Sequence, residues 1–188
     1  MATAPETRAT LDDLMKVDGK AELVGGRIVT LMSSGEYPIL VTGNIYVALR
    51  EFARRSGRGF ARTDSLGYAV RELPSGRESF APDVSYCDWR PEKRSMKFVT
   101  GPPTFAVEVR NERDYGARAE RELRDKRHDY FAAGTLVVWD VDPVNQVVRV
   151  YRRDQPDAPT ERRLGDTADA EPAVPGWTMT VDEVFADD

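Results

Sequence analysis

The residues of this chain best suited to chemistry are Pro82-Asp83 and, after a gap of 24 residues, Glu108 inside the apolar run Phe105-Ala-Val-Glu-Val109. A strand in a buried sheet reads as a continuous apolar run. An ionised carboxylate inside one carries a desolvation penalty on the order of several kcal/mol unless a partner offsets it. A hard divalent cation such as Mg²⁺, which takes oxygen ligands, is such a partner if Asp83 and Glu108 converge from neighbouring strands. Strand alternation sets Ala106, Glu108 and Arg110 on one face and Phe105, Val107 and Val109 on the other. Plainer roles stand beside these: Asp83 as a turn residue after proline, and Glu108 in a buried ion pair with Arg110 or another base.

Lys126 adds a third group. Its segment predicts a helix from Asp114 to about Ala133, where Ala119 and Ala133 fall within about 20° of Lys126 on the helical wheel. Lys126 therefore lies in the middle of the stripe that faces the sheet, where a lysine needs an anionic partner. The alternatives are an amine that snorkels to the surface or an ion pair with Glu122 one turn earlier. Beside two carboxylates, a lysine completes an arrangement suited to phosphodiester hydrolysis. His128 falls on the opposite side of the wheel and is expected in solvent.

Those three residues need strands and helices to position them. Thr10 with Asp13 predicts a capping box opening a short helix, Leu11 to Val17. Glu22-Leu-Val24 and Arg27 to Leu31 flank Gly25-Gly26, a hairpin signal. Val41, Ile45, Ala48, Leu49 and Phe52 recur at helical spacing, with Gly57 as the stop. Strands are predicted at Phe60 to Val70, Asp83 to Cys87, Thr104 to Arg110, Thr135 to Val141 and Val147 to Arg152. A polar, basic loop is expected from Arg90 to Pro103. The helix of Lys126 should be capped by Asp114 and ended by Gly134. The C-terminal segment reads as turns followed by a short helix near Val181 to Phe185. The whole is an α/β domain spanning 10–188 after a flexible N-terminal segment, 1–9, with helices on the faces of a mixed sheet.

Composition narrows the chemistry. With 40% hydrophobic and 31% charged residues, the chain fits a soluble globular protein, and it contains no apolar run of membrane-spanning length. One cysteine, Cys87, and one histidine, His128, exclude an intrachain disulfide, a multi-cysteine zinc site and a two-histidine metal site. A cytoplasmic location is expected. Carboxylates and lysines remain as the agents of any catalysis. The net charge is −5, but seven acidic and no basic residues lie in 164–188, leaving +2 for 1–163. Arg50, Arg54, Arg55, Arg58 and Arg62 form one basic cluster, and Arg90, Lys93, Arg94 and Lys97 another. Either is a solvated surface or a nucleic-acid contact. Tyr130, Trp139 and Trp177 read as core aromatics rather than base-stacking platforms, and Asp140 and Asp142 are weak catalytic candidates.

Pro82-Asp83 followed by Val107-Glu108-Val109 resembles the PD-(D/E)XK nuclease motif. Phe105-Ala-Val-Glu-Val-Arg-Asn111, Lys126-Arg-His-Asp-Tyr130, Ala133-Gly134 and Val138-Trp-Asp-Val-Asp-Pro143 are similar to the Uma-two family of restriction endonucleases. Glu22-Leu-Val-Gly-Gly26 resembles that family's N-terminal element, and the similarity spans roughly residues 10 to 185. It implies a restriction-endonuclease-like fold and a metal-dependent endonuclease acting on DNA. Asp83 and Glu108, with the Val109 carbonyl, would bind Mg²⁺ or Mn²⁺, and Lys126 would orient the attacking hydroxide. Glu22 would hold a second ion or position Lys126, unless it is merely a strand-end charge beside the Gly-Gly turn. Arg110 would contact phosphate or pair with Glu108.

Two departures from the family pattern bear on turnover. The plain motif carries lysine where this chain has Arg110, a poor proton acceptor, so the lysine role passes to Lys126. Many relatives carry a serine after the strand and a histidine near the start of the long N-terminal helix, where this chain has Asn111 and no histidine around Tyr37. The competing function is therefore a nuclease fold without catalysis that binds nucleic acid or a protein partner. An inactive descendant has no need to keep Asp83, Glu108 and Lys126 together, which favours the enzyme. A third possibility is a structural oligomer subunit, and open strand edges make a homodimer plausible.

Overall fold

Residues 8–63, 66–89 and 95–187 are described by the computed structural model. Of the second basic cluster, Arg90, Lys93 and Arg94 lie outside the described residues, as do 1–7 of the expected N-terminal segment. Arg8 and Ala9 pack on the fold: Ala9 N donates to Gly26 O at 2.9 Å, and Arg8 pairs with Glu72 at 2.7 Å.

Thr10 and Asp13 form the expected capping box, but helix α1 spans only Leu11–Leu14. Gly19, at φ 91°, then leads into the hairpin of β1 (Ala21–Val24) and β2 (Arg27–Thr30). Gly25 and Gly26 both take positive φ, 59° and 71°, as a two-residue hairpin turn requires. A Cβ on Gly26 would also meet Arg8 Nε at 2.7 Å. Gly26→Ala is expected to lower stability by about 1–2 kcal/mol, read as an earlier urea midpoint with an unchanged slope.

Helix α2 runs Glu36–Ser56 and buries Val41, Ile45, Leu49 and Ala53 on one stripe. Gly57 closes it in the left-handed conformation, as the spacing predicts. The chain then enters a six-stranded sheet made of β3 (Phe60–Thr63), β6 (Val84–Cys87), β8 (Phe105–Val109), β9 (Val137–Asp142), β10 (Val147–Arg152) and β11 (Gln155–Arg162). The strand order is β11-β10-β9-β8-β6-β3. Within this sheet only β8 and β9 pair in parallel, and helix α3 (Ala117–Ala133) is their crossover. Its C-terminus stops at Gly134, whose N–H bonds the carbonyls of Tyr130 and Phe131.

Alternation along β8 separates two cores. Phe105, Val107 and Val109 share one with α2, Trp139 and Val141. Ala106 shares the other with Tyr130, Phe131 and Phe80 beneath α3. The C-terminal hairpin β12 (Thr167–Asp169) and β13 (Thr178–Thr180), with helix α4 (Val181–Val184), closes the α2 side. There Trp177 stacks on Trp139 with ring centroids 5.1 Å apart, so both tryptophans are core residues.

Several boundaries differ from expectation. Phe60 to Val70 is not one strand. After β3 the chain leaves the main sheet, and β4 (Tyr68–Ala69) joins β5 (Ser79–Phe80) and β7 (Val99–Thr100) in a small three-stranded sheet. Gly67 permits the close packing there, since a Cβ would meet Phe98 at 2.6 Å. β7 also interrupts what reads as a loop between Arg90 and Pro103. Asp114 does not cap α3: it accepts from Asn111 N at 2.7 Å, and the helix opens three residues later after Gly116. β11 escapes a pattern search because Pro156 and Pro159 argue against a strand. It forms because it is an edge strand, where proline is tolerated.

Candidate active site

The ladder of β6 on β8 pairs Val84 with Val107. Extended by one residue, it sets Asp83 across from Glu108, and Asp83 N donates to Val107 O at 3.1 Å. The side chain of Asp83 then folds onto the neighbouring strand, where its Oδ2 accepts from Val109 N at 2.8 Å. Pro82 at the strand entry and Glu108 near the strand exit thus bring the two carboxylates together, as the sequence suggests.

Glu108 projects toward α3. Its Oε2 accepts from Lys126 Nζ at 2.9 Å and its Oε1 from the Tyr130 hydroxyl at 2.6 Å. Lys126 and Tyr130 are one helical turn apart, so one face of α3 delivers both donors. Glu22 joins from β1: Lys126 Nζ lies 3.0 Å from its Oε1, and Ala81 N donates to the same oxygen at 3.0 Å. Arg77 bonds the other oxygen of Glu22 through Nη1 and Asp129 through Nε at 2.9 Å. On the far side, Lys20 Nζ lies 2.6 Å from Asp83 Oδ1. Among the described residues four carboxylates (Glu22, Asp83, Glu108, Asp129) meet three cations (Lys20, Arg77, Lys126) in one cluster.

The electrostatics of the two glutamates diverge. Burial raises the Glu108 carboxyl above its ordinary value; Lys126 opposes this, while the charges of Asp83 and Glu22 add to it. Burial acts on Glu22 in the same sense, but Lys126, Arg77 and the Ala81 amide prevail and hold it down to about 2. Burial would depress Lys126, yet Glu108 and Glu22 together raise it, so its amine stays protonated. Burial and the adjacent Glu108 push the Tyr130 phenol up, fixing it as a hydrogen-bond donor.

Arg110 has a different partner from either expected one. Its guanidinium is bidentate on Asp140, at 2.6 and 2.7 Å, and bonds Glu120 as well. Its side chain is 4% exposed and is engaged by Asp140 and Glu120 rather than by Glu108. The signal was Asp140, which the parallel register sets beside Glu108 on β9. Asp142 is likewise structural, accepting from the Tyr115 hydroxyl at 2.9 Å and from Asn145. His128 is exposed and lies 2.8 Å from Asp157. Tyr37 accepts from Gln146 Nε2 at 3.2 Å, and the buried side-chain oxygen of Asn111 has no hydrogen-bond partner among the described residues.

Lys20, Arg77 and Asp129, with Tyr130 beside them, are the groups that the sequence does not single out for chemistry. Lys20 lies two residues before Glu22, the spacing that shares a strand face, and Tyr130 lies four after Lys126. Arg77 stands in a turn-rich loop with no pattern to mark it.

Among the described residues no three His, Cys, Asp or Glu side chains are grouped as a metal cage. Mg²⁺ does not require one, since it is commonly held by one or two carboxylates plus water and substrate phosphate. Asp83 and Glu108 are the hard oxygen donors such an ion takes. The excess of carboxylates over cations, and the upward shift of Glu108 that neighbouring negative charge reinforces, fit an added cation.

A mixed sheet with helices on both faces and a carboxylate–lysine cluster at the paired strand ends define a restriction-endonuclease-like α/β protein. The chain belongs to the Uma2 family, described as "Putative restriction endonuclease", whose profile matches residues 8–182. A solved structure described as "a putative nuclease belonging to DUF820" from Anabaena variabilis ATCC 29413 shares the fold, with a TM-score of 0.73 at 18% identity. That similarity covers 94% of this chain and 97% of the other. No curated protein matches the chain at a significant level. Among the described residues no helix is long and apolar enough to cross a membrane.

Proposed function

We propose that the chain is a divalent-metal-dependent endonuclease that hydrolyses DNA phosphodiester bonds. The observation that carries this is the meeting of Asp83, Glu108 and Lys126, drawn from two strands and a helix, in a chain of the Uma2 family. Asp83 and Glu108, with the Val109 carbonyl, would hold Mg²⁺ or Mn²⁺, which when bound supplies a water of lowered pKa and neutralises phosphate charge. Lys126 directs N–H donors and a fixed positive charge at the developing negative charge of the transition state. Its raised pKa makes that role electrostatic rather than proton-accepting. Glu22 shares the Lys126 ammonium with Glu108 and helps to position it, and Tyr130 fixes the rotamer of Glu108 through its other oxygen.

Nicking of supercoiled plasmid in Mg²⁺ and then Mn²⁺ tests this directly. The wild type should relax the plasmid, EDTA should stop it, and Asp83→Asn should slow it by at least about 100-fold. Cleavage that survives both EDTA and Asp83→Asn would place the chemistry elsewhere. No cleavage by wild type across salt and DNA forms would leave a binding module built on a nuclease fold.

A further inference from the structure

Asp83 and Glu108 present four carboxylate oxygens, and three of them are bonded to groups the framework holds in place. Asp83 Oδ2 meets the main-chain N–H of Val109, and Glu108 Oε1 meets the fully buried Tyr130. Glu108 Oε2 meets Lys126, whose ammonium is gripped from its other side by Glu22. The fourth, Asp83 Oδ1, accepts from Lys20 Nζ at 2.6 Å, and the Lys20 side chain is 15% exposed. Lys20's charge also bears on Glu108. Its main chain is anchored, because its carbonyl accepts from Leu31 N at 2.8 Å. Its ammonium, paired with Asp83, sits at the end of a four-carbon stem with several rotatable bonds, so it can change position without moving the backbone.

From this geometry we propose that Lys20 is the resident counterion of Asp83, and that a divalent cation binds the Asp83–Glu108 pair only by displacing the Lys20 ammonium. The proposal rests on the metal-dependent function above. An ammonium and a divalent ion held on the same carboxylate repel each other strongly at such short range. Lys126 is the less able of the two to leave, since its departure would strip the partner from Glu22 and Glu108 together. Lys20 therefore sets the affinity for metal: the wild type binds it less tightly than a chain lacking this charge, and the acidic pair stays neutralised until metal arrives.

The test is a titration of the metal-free full-length protein with Mn²⁺, following the spectrum of the free ion by electron paramagnetic resonance. Lys20→Met should bind Mn²⁺ at least about tenfold more tightly than wild type, whereas Lys20→Arg, which keeps the charge, should not. Lys20→Gln serves in place of Lys20→Met if thermal melting shows that the latter is unfolded. In the wild type, acetylation of Lys20 by a water-soluble anhydride, read by mass spectrometry, should rise on adding Mn²⁺ while that of Lys126 does not. Equal affinity in wild type and Lys20→Met, with binding lost in Glu108→Ala, would overturn the counterion role and leave the metal site standing. So would a Lys20 that stays protected at saturating Mn²⁺. Absence of binding in wild type and Lys20→Met alike would overturn both the counterion and the metal-dependent function.

Discussion

If the chain works by the proposed metal-dependent mechanism, Glu108→Gln is expected to reduce plasmid cleavage by at least about 100-fold, since a ligand to a catalytic metal supplies several kcal/mol of transition-state stabilisation. The same substitution should raise the melting temperature above neutral pH. The folded-state pKa of Glu108 lies above its ordinary 4.5, so over the interval between the two values the folded protein holds more protons than the unfolded chain. Stability then falls as pH rises through that interval and stays lower above it. Glutamine is neutral throughout, accepts from Lys126 or Tyr130, and escapes that loss. Glu22 works in the opposite direction. Its folded pKa of about 2 gives stability that is complete above the ordinary 4.5 and lost as pH falls toward 2. Melting curves in EDTA from pH 4 to 9 should therefore show a shared acid limb and a gap between variant and wild type that opens as pH rises. A variant less stable than wild type at pH 8 would mean that the attraction between Lys126 and Glu108 outweighs burial and the neighbouring carboxylates. Mg²⁺ should stabilise the wild type and not the variant.

How much of this site was legible follows from the range of each signal. Period-2 alternation put Glu108 and the trio Phe105, Val107 and Val109 on opposite faces of their strand, and the helical wheel turned Lys126 toward the sheet; both are local patterns. Which face met which helix was not in those patterns: the trio lies on the α2 side, and Glu108 meets Lys126 of α3. Contacts that depend on how separate units dock left no local trace. Lys20 reaches Asp83 across 63 positions, which requires the β1–β2 hairpin to lie against the small sheet. Leu23 N donating to Ser79 Oγ at 2.7 Å is part of that docking. Arg77 reaches Glu22 and Asp129 by the same docking, from a loop whose Pro74 and Gly76 announce only a turn. Arg110 shows the opposite failure. Its face was read correctly, but its partner was sought along its own strand, whereas Asp140 came from β9, its neighbour through the crossover. β11 was missed because two prolines are evidence against a strand only until its place at the sheet edge is known.

Arg77→Met should be the most destabilising single change near the site, at about 3–5 kcal/mol. Its guanidinium, 10% exposed, bridges Glu22 at 4% and Asp129 at 13%. Removing it leaves two buried carboxylates, with Lys126 the nearest remaining cation to Glu22. The Glu22 carboxyl should then rise from about 2, and the acid limb of the melting curve should move to higher pH with it. Denaturant unfolding at pH 7 measures the loss, and Glu22→Gln in the same background separates its causes. If the penalty is mainly the stranded Glu22 charge, the double variant should recover about 1–3 kcal/mol relative to the sum of the singles. If instead Arg77 matters through its packing over the Phe80 ring, 5.2 Å from its centroid, the two changes should simply add. A chain of alternating charges, Asp129 to Arg77 to Glu22 to Lys126 to Glu108, predicts the first outcome. Under the proposed mechanism it also predicts that Arg77→Met, which touches Lys126 only through Glu22, slows cleavage by about tenfold through a misplaced Lys126.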